Sequence, residues 1–143
     1  MGDVCKYSFP GYQIWLAFIP NPLSQALFQY TVIPGQIYRS AQPDIEDITR
    51  WSEQLRIRSV LTLQSATPWS PEQAGQIGSL GIDLFFVPLK FDRQPSRASM
   101  IKLLELIHNA PKPLLVHCLR GVDRSGLVSA MAWRTAARSF VTG

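Results

Sequence analysis

Cysteine is scarce in this chain: 143 residues carry only Cys5 and Cys118, far apart in the sequence. A disulfide framework needs more, so a reducing, cytoplasmic compartment is expected. Long apolar runs are also missing. The stretch Ile14 to Ile19 ends after six residues at Pro20, well short of the roughly 18 residues that span a bilayer. No basic segment precedes it, as a secretory leader would require. Lys6 stands where a myristoylation signal after Met-Gly has Ser or Thr. Basic residues form no run, and zinc-ligand spacing, a helix-turn-helix signal and an RNA-recognition signature are absent. No nucleic acid partner and no transmembrane segment are therefore expected. No dinucleotide or ATP requirement is expected either, because a nucleotide-binding fingerprint is missing.

What is present is ordinary for a globular chain. Apolar residues make up 46% and charged residues 17%, and the length suits one domain. The net charge of +4 is uneven. Residues 1–85 carry five Lys/Arg and seven Asp/Glu, whereas residues 86–143 carry nine and three. A basic C-terminal half points to an anionic ligand.

Residues 1–33 are aromatic and Pro-rich and read as an apolar arm, with a short helix at Leu23–Tyr30. The aromatics Tyr12, Trp15, Phe18 and Phe28 read as packing. Beyond the arm, strands are expected at Gln36–Ser40, Ser59–Gln64, Asp83–Leu89 and Pro113–Cys118. Helices are expected from Ile45 to about Arg56 after an Asp44 N-cap, and from Ser70-Pro71 to Leu80 with Gly81 closing it. Two more are expected from Ser96 to Asn109, with Ile101, Leu104 and Ile107 inward, and from Arg124 to about Arg138. Strands alternating with helices of this length imply βαβ units: an α/β fold with a mainly parallel central sheet flanked by helices. Ligands bind such sheets beyond the carboxyl ends of the strands. The strand ending at His117-Cys118 aims its cysteine there.

The chemistry sits in His117-Cys118-Leu119-Arg120-Gly121-Val122-Asp123-Arg124-Ser125-Gly126. A short loop leading into a helix N-terminus is an anion cradle, because its amide N–H groups converge and favour negative charge. Arg124 at the helix start can hold two phosphate oxygens at once. The same positive field lowers the pKa of Cys118 and makes a thiolate nucleophile. Gly121 permits the tight turn, and Ser125 can donate to the sulfur. An inert core cysteine and a surface salt bridge are the plainer readings of Cys118 and Arg124; the complete motif disfavours both.

This motif resembles the Cys-x5-Arg-Ser/Thr signature of the cysteine-dependent protein tyrosine phosphatase superfamily, and most of all its small dual-specificity-like bacterial branch. Gly35-Gln36-Ile37-Tyr38-Arg39-Ser40-Ala41-Gln42-Pro43 resembles the opening of such members, and the likeness spans about residues 34–138. The resemblance implies a dual-specificity phosphatase-like domain over 34–143. It implies a metal-independent, cofactor-free phosphomonoester hydrolase working through a phosphocysteine intermediate. Cys118 matches the nucleophile, and Arg124 with the loop Leu119, Arg120, Gly121, Val122 and Asp123 matches the substrate-binding cradle. Ser125 matches the hydroxyl that assists breakdown of the intermediate, and His117 a supporting residue rather than a metal ligand. Asp92 matches the general acid by position, with Asp123 as a second candidate; a solvated loop residue is the plainer reading of Asp92. The substrate is expected to be a phosphorylated protein or a small phosphomonoester, including a phosphoinositide or inositol phosphate.

Only 19 residues follow Arg124, where members of the superfamily usually continue into further helices. Shortened C-terminal cover is therefore expected, with uncovered apolar surface through which copies could associate. A non-catalytic phosphate-binding pseudophosphatase is the alternative. Rhodanese-like sulfur transfer fits poorly, because its cysteine loop is usually shorter and lacks an Arg-Ser-Gly ending.

Overall fold

The computed structural model describes residues 29–90 and 92–141. Along them run β1 (Gln29–Ile33), β2 (Ile37–Ser40), α1 (Ile45–Gln54), β3 (Ser59–Thr62) and α2 (Pro71–Ser79). They continue as β4 (Asp83–Phe86), α3 (Arg97–Asn109), β5 (Leu114–His117) and α4 (Asp123–Val141). The strands form one sheet in the order β1-β2-β5-β3-β4. The β2–β5, β5–β3 and β3–β4 pairs are parallel, and β1 adds an antiparallel edge to β2. The fold is α/β with a mainly parallel sheet, as the alternating pattern predicts.

β5 is central. Its four residues are fully buried, as a strand covered on both faces requires. Because strand side chains alternate between faces, β5 divides its residues between two cores. Leu114 and Val116, continued by Cys118, join Leu103 and Ile107 of α3 and Val128 and Ala132 of α4. Leu115 packs with Ile48 and Trp51 of α1 and Ile77 of α2 on the opposite face.

The expected helix starts are met by local chemistry. Asp44 accepts from the Asp47 amide at 2.7 Å, and Ser70 from the Gln73 amide at 3.2 Å ahead of Pro71. Ser96 accepts from the Ser99 amide at 3.1 Å. Each satisfies an N–H that the first helical turn leaves unpaired. Gly81 ends α2 at φ +76°, a left-handed conformation that favours glycine.

Several expectations need correction. Gln29 and Tyr30 belong to β1, not to a helix over 23–30; the remainder of that expected helix, with Tyr12, Trp15, Phe18 and Phe28, lies outside the described residues. β1 thus takes up the last five residues of the stretch 1–33. β3 stops at Thr62; beyond it the Leu63 amide still donates to the His117 carbonyl at 3.0 Å and the Gln64 side chain bonds Gln42. β4 stops at Phe86, although the Val87 and Leu89 amides beyond it still donate to the Thr62 and Leu63 carbonyls, each at 3.0 Å. In α3, Leu103 and Ile107 face the sheet while Ile101 and Leu104 are 47% and 45% exposed. Two apolar stripes overlap on this helix, and periodicity does not say which the sheet will cover. Trp133 on α4 is 59% exposed. Among the described residues no helix is long and apolar enough to cross a membrane.

Candidate active site

The site forms at the carboxyl ends of β2, β5 and β3, where Ser40, His117 and Thr62 stand side by side in register. Cys118 is the first residue beyond β5 and is 2% exposed. The loop from Leu119 to Val122 curls back into α4. Its turn is closed by Gly121, at φ +70°, whose amide donates to the Cys118 Sγ at 3.1 Å. The Ser125 hydroxyl, in the first turn of α4, lies 3.6 Å from the same sulfur.

These donors decide the thiol's acidity. Burial pushes the Cys118 thiol up. The Ser125 amide and hydroxyl, with the Gly121 and Val122 amides, outweigh burial and hold it below the ordinary thiol range. The site therefore favours a thiolate at the mouth of a helix N-terminus.

Gly121 is required by space as well as by φ. A Cβ there would sit 2.5 Å from the Ala41 nitrogen and 2.6 Å from the Ser40 carbonyl carbon. The cysteine loop is thus pressed against the turn between β2 and α1. The Gln42 amide donates to the Leu119 carbonyl at 3.2 Å across this contact. Gln64, beyond β3, donates its side-chain amide to the Gln42 side-chain oxygen at 2.9 Å. Three loops are joined in this way.

Arg124 spans the remaining side. Its Nη1 donates to the Leu89 carbonyl at 3.2 Å and approaches the Leu63 carbonyl at 3.5 Å. These carbonyls are beyond the ends of β4 and β3, so the guanidinium lies over the carboxyl edge of the sheet. Arg39 rests against the first turn of α4, where a Cβ at Gly126 would lie 3.3 Å from its Nη1.

His117 points to the face opposite Cys118, as consecutive strand residues must. Its Nε2 lies 2.9 Å from the Thr62 hydroxyl, and its ring meets Trp69 edge-on with centroids 5.1 Å apart. Burial lowers its pKa to about 4, with the Cys118 backbone opposing the shift. The ring is neutral at physiological pH and buried against Thr62, which suits the supporting place expected for it.

The structure thus gathers Cys118, Gly121, Ser125 and Arg124. Leu119, Arg120, Val122 and Asp123 face solvent on the outer rim. Asp92 lies in the loop between β4 and α3; its side chain is 53% exposed and pairs with Arg93 at 3.5 Å. This loop departs from Leu89, the residue whose carbonyl Arg124 holds. Thr62, Gln64 and Trp69 are supports that no sequence motif marks, and Gln42 gains its role only in the fold. Two polar residues closing the apolar stretch Ser59–Gln64 were the available signal for Thr62 and Gln64. Nothing local marks Trp69.

The family described as PTP-SAK, Swiss Army Knife protein, DSP-PTPase phosphatase domain, matches residues 26–138. The chain is 30% identical over 102 residues to the inositol diphosphatase SIW14 of Saccharomyces cerevisiae, covering 68% of this chain and 36% of that protein. It therefore spans about a third of the curated relative it matches. The crystal structure of the SIW14 core catalytic domain with citrate superposes with a TM-score of 0.65 at 30% identity, over 74% of this chain and 64% of that one. A DUF442 phosphatase-like protein of Shewanella putrefaciens shares the fold, with a TM-score of 0.58 at 18% identity over 72% and 66% of the two chains.

Proposed function

Since the chain belongs to the DSP-PTPase phosphatase domain family, we propose that it is a cysteine-dependent phosphomonoester hydrolase that works without a metal. The convergence of the Gly121 amide and the Ser125 hydroxyl on a buried Cys118 Sγ carries this reading. The phosphoryl group enters the cradle of loop amides and the free N–H groups of Arg124, which disperse its charge as it transfers. The thiolate attacks phosphorus; an S–P bond forms and the bond to the leaving oxygen breaks. Asp92 protonates that oxygen, then takes a proton from the water that cleaves the S–P bond. Ser125 donates to the departing sulfur, and Cys118 returns as thiolate. Asp123, at the first position of α4, is the second candidate for the acid.

The decisive experiment is hydrolysis of p-nitrophenyl phosphate with EDTA present, comparing the parent with Cys118→Ser. Turnover that vanishes in the variant supports the mechanism; turnover that survives overturns it. Oxyanion binding without turnover in the parent would instead favour a pseudophosphatase.

Beside a phosphoprotein, two observations support a small, densely anionic substrate. The yeast relative is named an inositol diphosphatase. Arg120 is exposed beside the cradle, in the basic half of the chain. Turnover of inositol phosphates measured beside that of phosphopeptides tests this second substrate class; none with inositol phosphates would overturn it. The separated cysteines support a cytoplasmic setting. Exposed Ile101, Leu104 and Trp133 support self-association through α3 and α4; a monomer's mass at every concentration in sedimentation equilibrium would overturn that.

A further inference from the structure

Trp69 lies in the loop between β3 and α2, far from the cysteine loop in sequence and on the other face of the sheet. It is 7% exposed and belongs to the core of Ile48, Trp51, Ile77 and Leu115. That core anchors the indole. Its ring also meets His117, which is 0% exposed, with an interplanar angle of 68°.

Two buried ring nitrogens in these residues make no hydrogen bond, Nε1 of Trp69 and Nδ1 of His117. An unmet buried donor or acceptor costs about 1–3 kcal/mol. The edge-on contact packs the two rings together away from water, at 7% and 0% exposure. Without the indole, water would reach the imidazole and compete for Thr62. His117 meets the Thr62 hydroxyl through its ring, at 2.9 Å. Its main-chain carbonyl accepts from the Leu63 amide at 3.0 Å. Side chain and backbone of His117 together set the peptide from which the cysteine loop departs.

We propose that Trp69 is a positioning residue for Cys118: it seals the imidazole of His117 against Thr62 and so fixes the direction in which the cysteine loop leaves β5. The α1/α2 core, on the face of the sheet opposite the Cys118 side chain, then takes part in setting the reactivity of the thiolate. This rests on the cysteine phosphatase reading for its kinetic consequence but not for its test at the thiol.

The test compares the parent with Trp69→Phe, which keeps an aromatic edge, and Trp69→Leu, which keeps apolar volume only. Circular dichroism and thermal melts identify the folded variants. The rate of Cys118 alkylation by iodoacetamide is then followed against pH. Peptide mass spectrometry reads the label, because Cys5 is also a thiol. In Trp69→Leu the apparent thiol pKa is expected to rise by about one unit. The kcat for p-nitrophenyl phosphate should fall about tenfold, with KM little changed, as for a nucleophile displaced while its cradle persists. Trp69→Phe should recover both. A folded Trp69→Leu variant with the parent's alkylation profile overturns the proposal, as does a folded Trp69→Phe variant as impaired as Trp69→Leu. If the parent hydrolyses nothing, the phosphatase reading fails while the alkylation profile still decides the place of Trp69. Should Trp69→Leu not fold, Trp69→Phe alone decides: a thiol profile shifted from the parent's overturns the proposal.

Discussion

The guanidinium of Arg124 donates to the main-chain carbonyl of Leu89, 35 residues away, at 3.2 Å. The arginine proposed to bind phosphate is thus aimed by the loop that carries Asp92. An ammonium presents a point charge in place of a rigid five-donor fork. Arg124→Lys should therefore lose both this contact and two-point phosphate binding. A fall of about 10²-fold or more in kcat/KM for p-nitrophenyl phosphate is expected, and steady-state kinetics check it. A variant as active as the parent would sink the role.

Ser125 supplies the hydroxyl and one of the amides that hold the Cys118 thiol below its ordinary range. Ser125→Ala removes the hydroxyl and keeps the amide, so the thiol pKa should rise. The thiolate fraction then appears at higher pH, and the acid limb of kcat/KM moves upward with it. A pH–rate profile on both proteins reads the shift; an acid limb that stays in place contradicts it.

The left-handed φ at Gly121 disfavours any residue with a Cβ by about 1–2 kcal/mol, and that Cβ would also strike the backbone of Ser40 and Ala41. Gly121→Ala should melt at lower temperature and lose most of its activity, because the amide that donates to Cys118 must move. Calorimetry and phosphate hydrolysis measured together provide the check.

His117 should make the protein acid-sensitive. Its pKa is lowered by burial to about 4 from 6.5, so the unfolded chain binds more protons between those values. Stability from this residue is present above pH 6.5 and is lost as pH falls towards 4, by about 3 kcal/mol across the window. Urea melts at pH 7 and pH 5 should show the loss, and His117→Asn should show a smaller one. Equal pH dependence in both proteins would count against it.

Asp92→Asn should depend on the leaving group. A general acid contributes about 10²-fold or more where the leaving oxygen is basic, and less for p-nitrophenolate. Phenyl phosphate should therefore suffer more than p-nitrophenyl phosphate. The same pattern in Asp123→Asn, with Asp92→Asn unaffected, would transfer the role.

Much of this was legible in one dimension. Asp44, Ser70 and Ser96 announce helix starts because capping is a contact between residues three apart. Near-continuous apolar character marks β5 as central, since both its faces are covered. The Cys118 motif declares an anion cradle because nucleophile, loop, arginine and helix N-terminus are consecutive. All of this chemistry is local, and the chain carries it directly.

Other features exist only once the chain is folded. Which of two overlapping stripes on α3 meets the sheet was decided by packing, which buried Leu103 and left Leu104 in solvent. Thr62 meets His117, and Gln42 meets Gln64 and Leu119, only because β2, β5 and β3 end in register. Trp69 reaches His117 only through a shared core on the far side of the sheet. The sequence by itself determined which groups make up the cradle; the tertiary structure decided what holds them in place, because those supports come from residues distant along the chain and adjacent only across the sheet.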